Sequence, residues 1–391
     1  MLGILVVNMP GFAGTEVSPL TPHLPVAGSL ADERAFAASL VLFEGKMRAL
    51  FTLLFGASML LFIERAEAQG RDGQALQIRR LGLLALFGYL HYALLWWGDI
   101  LLIYALLGLL ALALREMENT RLAVAAVAFF VLWHLVGMAT TWPDIALDAA
   151  VRDGTASAKQ LTAHHDSLAQ YARNAATDLG NYRMGWPDQV IEKLTGAPFS
   201  PFEIALNSLG ETVPLMLIGM VLYRTGFFAG AWPKRRLIQL AGWGIGLGTL
   251  ITVLMVWYVW QLGFPAPSMF AFVVYWSAIP HLLVAMGYLA ALVLIAPRLL
   301  DSWLGNRLEA AGRMAFSNYI LSSLIMCAIF YGWGLGLVGT VGHAGQIPFV
   351  LLGWTVMLAW SQPWLARFHQ GPLEWLWRSL TEQRVLVFRR G

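Results

Sequence analysis

Stretches of about 20 mostly apolar residues, the length a helix needs to cross hydrocarbon at 1.5 Å rise per residue, recur along nearly the whole chain. They fall near 1–13, 39–63, 79–97, 99–115, 121–142, 203–224, 236–261, 270–297, 312–333 and 346–366. Only 13% of the residues are charged, against roughly 25% in soluble domains. Such a chain cannot cover itself with polar surface and needs lipid as its solvent. The fold class expected is all-α: a polytopic transmembrane helical bundle of about ten spans, forming a single domain over 1–391. The first stretch is short and starts at Met1 on Leu-Gly-Ile-Leu with no basic run ahead of it. It does not read as a signal peptide, and its first turns are expected to lie upstream.

Lys and Arg alternate between the connections. The segments 64–80, 115–121, 224–236, 298–313 and the tail carry 18 of them, whereas the short connections on the other side carry Arg34 alone. By the positive-inside rule both termini lie in the cytoplasm. That alternation also explains the sequence pI near 9.0 without nucleic acid as a partner. Segment 143–202 stands apart as a polar, extended extracytoplasmic loop, with an amphipathic helix expected over 158–179. The tail, 367–391, reads as a cytoplasmic interfacial segment rich in Trp and Arg. The single cysteine, Cys327, lies in an apolar span and reads as a small buried hydrophobe.

Ionisable groups inside spans are costly in hydrocarbon, and this makes each a candidate for function. Glu44, Lys46 and Arg48 open the second span. His91 lies two turns before Asp99 at the end of the third, and Asn8 lies on the first. Glu203, Asn207 and Glu211 are spaced i, i+4, i+8, so a continuous helix would present them on one face. Plainer readings stand beside these. The charges at 44–48 also suit interface anchors, Asp99 a helix cap, and His91 and His134 hydrogen-bonded core histidines. His164-His165-Asp166 lacks the further ligands of a metal site, and no metal is expected. Gly242, Gly244, Gly246 and Gly248 resemble a dinucleotide loop but follow no strand; close helix packing suits them, as it does Gly332, Gly334 and Gly336.

Several blocks resemble the bacterial YeiB family. They include Leu2-Gly-Ile-Leu-Val-Val-Asn-Met-Pro10, Phe43-Glu-Gly-Lys46, Arg79-Arg80, His91 and Trp97-Gly-Asp99-Ile-Leu. Toward the end come Gly312-Arg-Met-Ala-Phe-Ser-Asn318-Tyr, Phe330-Tyr-Gly-Trp-Gly-Leu-Gly336 and Gly371-Pro-Leu-Glu-Trp-Leu-Trp-Arg378. The Asp-x-x-Arg-Gly stretch that members carry before Leu-Gly-Ile-Leu is missing. The family is one of unknown function whose N-terminal half is similar to membrane acyltransferases of the heparan glucosaminide N-acetyltransferase type. The resemblance implies a bacterial inner-membrane protein moving an acyl group from a cytoplasmic donor to an extracytoplasmic or envelope acceptor. It also draws attention to a histidine after the first span, here His23. On this reading His91, oriented by Asp99, is the preferred base and His23 the alternative. Lys46 and Arg48 would hold negative charge, while Arg79, Arg80 and Arg313 would meet the phosphates of acyl-CoA, a co-substrate and not a tightly bound cofactor. The expected partners are the bilayer and a small-molecule, glycan or lipid acceptor, with a homodimer as the candidate oligomer. Two alternatives remain: a transporter using Glu203, Glu211, Lys46 and His91, and a non-catalytic scaffold whose charges are structural pairs.

Overall fold

A computed structural model describes residues 1–390, and those residues form helices and turns with no strand among them. The chain runs α1 (Leu2–Ala13), α2 (Leu30–Leu42), α3 (Lys46–Glu67), α4 (Gly73–Leu94), α5 (Leu101–Ala113), α6 (Asn119–Arg152), α7 (Ala158–Tyr182), α8 (Trp186–Gly196) and α9 (Ser200–Asn207). It continues with α10 (Leu209–Arg224), α11 (Lys234–Gln261), α12 (Ala266–Ala271), a π-helical turn at Phe272–Trp276, α13 (Ala278–Leu300), α14 (Trp303–Arg313), α15 (Ala315–Phe330), α16 (Ile347–Arg367) and α17 (Pro372–Glu382).

Five helical stretches are long and apolar enough to cross a membrane, and up to seven if two bent pairs each count as one span. The remaining apolar stretches of the sequence fall on the shorter helices α1, α5 and α12 with its π turn, and on α4, which carries Arg79, Arg80 and His91. The span count by length and composition is thus five to seven, where the sequence suggests about ten. The amphipathic helix expected at 158–179 forms as α7, started by a capping box of Ser157 with Gln160.

The stretch expected at 39–63 lies within the single apolar stretch Leu30–Glu67, interrupted by a short turn where α2 ends at Leu42 and α3 begins at Lys46. Gly45 between them takes a left-handed φ of 69°, open to glycine at little cost. One expectation about continuity fails: Glu203, Asn207 and Glu211 do not share a face. The helix breaks at Ser208 and bends by 64° between α9 and α10. Glu203 and Asn207 are exposed on the short α9, and Glu211 turns inward on α10. A further break, of 84°, separates the amphipathic α14 from α15.

Small residues let the helices approach. Gly244 and Gly248 of α11 face Gly287, Val284 and the Pro280 carbonyl of α13, whereas Gly242 and Gly246 look onto open space. Half of that glycine run therefore serves packing. In the second set, Gly332 lies against the Arg183 carbonyl, but Gly336 has open space and φ 71°, so a turn requires it.

The tail is docked. Arg79 donates to the Thr381 carbonyl (3.0 Å), the Trp377 indole to the Arg80 carbonyl (2.9 Å), and Arg71 pairs with Glu382 (3.4 Å). Glu374 accepts from the Phe316 and Ser317 amides (2.7 and 3.0 Å) and from the Ser317 hydroxyl. It satisfies orphan donors at the start of α15. Arg224 donates to the Arg115 and Met117 carbonyls. These contacts gather the basic residues of 65–80, the 115–117 turn and the tail at one end of the bundle, called here the basic end.

Candidate active site

His91 and Asp99 meet. The turn after α4 folds back so that His91 Nδ1 lies 2.9 Å from Asp99 Oδ1, and both side chains are buried. The second carboxylate oxygen accepts from the Leu102 amide (2.7 Å) at the start of α5. Asp99 therefore caps a helix and holds the histidine at once. Gly88, one turn before His91, makes room, since a Cβ there would press on Asp99 Oδ2 and the Leu102 backbone. A carboxylate only accepts, so Nδ1 carries a proton, and when the imidazole is neutral Nε2 keeps its lone pair. Nε2 is buried and has no hydrogen-bond partner. The Tyr319 ring covers the imidazole at 5.0 Å, its hydroxyl fixed by the Ile100 amide and the Gly98 carbonyl (both 3.3 Å).

A second polar centre forms around Arg48. Its Nε and Nη2 meet the two oxygens of Glu211 at 3.2 Å each, a bidentate pair, and Nη1 lies 3.8 Å from Glu44. Lys46 is fully buried with its ammonium on the Leu40 carbonyl (2.6 Å). The Thr52 hydroxyl bonds the Arg48 carbonyl (2.8 Å) and the Tyr104 hydroxyl (2.7 Å).

One cleft is lined by a neighbour of each centre: Tyr319, packed on His91, and Tyr104, bonded to Thr52. A cavity of about 340 Å³ is lined by α3, α4, α5, α15 and α17 residues, among them Leu54, Leu84, Leu101, Tyr104, Phe316 and Tyr319. It shares Ser58, Arg80, Glu374 and Trp377 with a neighbouring cavity of about 460 Å³ bearing Arg65, Arg71 and Arg378. Together they form an apolar shaft with a basic mouth. Arg80 is clamped between the Phe62 and Trp377 rings, at 4.7 and 4.4 Å from their centroids. Arg313 lines the shaft too, while Arg79 turns away to the Thr381 carbonyl. A separate lateral groove of about 310 Å³ reaches His91 between α4, α8 and α15, and Phe316 borders both groove and shaft.

The other residues singled out from sequence lie elsewhere. His23, in the loop after α1, faces Glu33 at 3.5 Å. Asn8 is half-buried on α1, and Glu203 and Asn207 are exposed. His134 Nδ1 bonds the Phe130 carbonyl one turn back (2.7 Å), a core histidine's arrangement.

Sequence reasoning missed Tyr104 and Tyr319, although Tyr319 closes the Gly312–Tyr319 block already singled out. It also missed Asp148, whose Oδ1 lies 2.8 Å from His164 Nε2 and whose Oδ2 accepts from the Ser268 hydroxyl (2.5 Å) and amide (3.2 Å). No local spacing joins three residues on α6, α7 and α12.

The family model "Protein of unknown function (DUF418)" matches residues 222–384. Among curated proteins, the chain is 28% identical to uncharacterized protein YxaH of Bacillus subtilis, covering 97% of this chain and 91% of that one. It is also 28% identical to uncharacterized protein YeiB of Escherichia coli, covering 97% and 93%. A 39.9 kDa protein of Bacillus acidopullulyticus is 25% identical over 98% of this chain and 91% of its own. No solved structure matches.

Proposed function

Since the chain belongs to the DUF418 family, that of YeiB, we propose that it is a bacterial inner-membrane acyltransferase, basic end in the cytoplasm, with His91 as general base. The observation that carries the reading is the buried His91–Asp99 pair with its unpartnered Nε2, packed against Tyr319, which lines the basic-mouthed shaft.

In the reaction so assigned, acyl-CoA enters the shaft from the basic end. Arg80, Arg313 and Arg378 meet its phosphates, and the apolar shaft takes the pantetheine arm and acyl group toward Tyr319. His91 Nε2 removes the proton from an acceptor hydroxyl or amine as that atom attacks the thioester carbonyl. Collapse of the tetrahedral intermediate breaks the C–S bond, and the departing thiolate takes the proton from the imidazolium. Asp99 stabilises that imidazolium and keeps Nδ1 protonated. On this reading the Tyr319 hydroxyl donates to the developing oxyanion after a rotation away from Gly98.

The test is acyl-CoA binding to purified full-length protein by thermal shift. Saturable stabilisation by acyl-CoA but not by free fatty acid, weakened in Arg80→Ala, supports the reading. An unchanged melting temperature with every acyl-CoA contradicts it. A second reading, a proton- or ion-coupled transporter, draws on the Arg48–Glu211–Glu44 centre and the fully buried Lys46. It expects gradient-driven flux in vesicles that Glu211→Gln abolishes, with no acyl-CoA response.

A further inference from the structure

The cavity of about 460 Å³ at the shaft mouth carries more positive charge than its own acids can neutralise. Arg65, Arg71, Arg80 and Arg378 line it together with Glu374 and Glu382. Both oxygens of Glu374 are committed to the Phe316 and Ser317 amides and the Ser317 hydroxyl. Glu382 stands alone among three guanidiniums: Arg71 at 3.4 Å, Arg378 at 3.8 Å, and Arg384 at 2.8 Å from outside the cavity. One carboxylate balances one of those charges. Arg65 has no carboxylate partner among the described residues, and the Arg378 charge repels Arg80. Exposed arginines at a cytoplasmic membrane face are ordinary. What sets these apart is that they converge on one cavity, and that this cavity opens into the shaft through Ser58, Arg80, Glu374 and Trp377, which line both.

We infer that this cavity is a phosphomonoester site, in which Arg65, Arg71 and Arg378 hold the phosphate on the ribose of CoA while the pantetheine arm continues past Arg80 into the shaft. The inference rests on the acyltransferase reading and names its donor: CoA thioesters, selected over acyl groups borne on a carrier protein. A phosphomonoester brings nearly two negative charges near neutral pH, and its oxygens suit the planar guanidinium fork. The arm of a carrier protein has a single phosphodiester and no ribose phosphate, so it would leave the surplus charge around Glu382 unanswered. The cavity volume also falls within the range of about 300–1,000 Å³ that holds a small-molecule ligand.

The experiment measures binding of labelled CoA, and of labelled dephospho-CoA that lacks the ribose phosphate, to the full chain in phosphatidylcholine vesicles. CoA is expected to bind about tenfold to a hundredfold more tightly, the worth of a charged hydrogen-bonded contact. Arg65→Gln and Arg71→Gln should each shrink that ratio several-fold by weakening CoA. Arg71 also holds the tail through Glu382, whereas Arg65 has no part in that docking, so Arg65→Gln keeps the test clear if the tail loosens. Equal affinity for the two nucleotides overturns the phosphate site and leaves the acyltransferase reading standing, as does a ratio that neither substitution changes. If phosphatidylglycerol added to the vesicles abolishes the ratio, the arginines belong to lipid headgroups and the site is likewise overturned. Saturable binding of neither nucleotide removes the site and the reading together. A preference for CoA that Arg65→Gln diminishes, in a protein that transfers no acyl group, keeps the nucleotide site and removes the reading.

Discussion

The molecule holds an aspartate–histidine pair buried on both sides, His91–Asp99 at 2.9 Å, and one whose histidine is partly exposed, His164–Asp148 at 2.8 Å, and they differ in what each carboxylate does with its second oxygen. Asp99 spends it on the Leu102 amide three residues on, so its work is local. Asp148 spends it on Ser268, 120 residues away, and so joins α6, α7 and α12. The histidines differ as well. His91 turns Nδ1 to its carboxylate and leaves Nε2 buried and unpartnered, with the imidazole packed against Tyr319 of the shaft wall. His164 uses Nε2 for the carboxylate, and its unpartnered Nδ1 is buried away from the cavity that Ser268 lines, where His164 contributes no wall. On the proposed reading the same chemical pair is an acid–base centre in one place and a staple in the other, and the surroundings decide which.

Substitutions can break that contrast. The largest effect is expected from His91→Gln, which keeps a hydrogen-bonding side chain but removes the base. Acyl transfer should fall about 10²–10⁴-fold, the usual contribution of general-base catalysis, with little change in melting temperature. Asp148→Asn should do the reverse. It should cost about 1–3 kcal/mol of stability through the lost charge-assisted bonds, read as a lower melting temperature, with transfer by the remaining folded protein intact. Arg80→Ala should weaken acyl-CoA binding about tenfold, the order of one charged hydrogen bond, and leave the maximal rate nearly unchanged.

The smallest effect concerns Lys193, whose ammonium donates to the Leu95 carbonyl just past α4 (3.1 Å). Burial lowers the Lys193 ammonium from the usual 10.5 to about 8, with nearby Cys327 and carboxylates only partly offsetting it. Between those values the unfolded chain binds more protons than the folded one, so this group's contribution rises with pH from about 8 to about 10.5. Below pH 8 its full cost is present. Melting temperature followed across that window should climb in the native protein relative to Lys193→Met, which should lack the increment.

The apolar stretches were legible in the sequence because hydrocarbon burial leaves a periodic, composition-level record; the start of α1 and the extent of α7 follow it closely. The breaks were not. Ser208 and the 43–45 turn interrupt runs of unchanged apolarity, and the bend is decided by packing against other helices. At the site, eight residues separate His91 from Asp99, short enough for a fold-back turn to be foreseen. Arg80 and Arg313 were readable as charge near one end, although nothing local distinguishes them from Arg79, which faces the tail. Tyr319 and Asp148 act through partners more than 100 residues distant, and a single sequence keeps no trace of such pairings. Glu203 and Asn207 were misplaced by assuming a continuous helix.

The most direct test compares acyl transfer from labelled acyl-CoA into membrane lipid by the native protein, His91→Gln, His23→Gln and His164→Gln, all reconstituted in vesicles and matched for folded amount. The account expects transfer to be lost in His91→Gln alone, with His23→Gln and His164→Gln within a few-fold of native. Undiminished transfer in His91→Gln, or its loss in His23→Gln instead, would contradict the assignment of the buried His91–Asp99 pair as the acid–base centre.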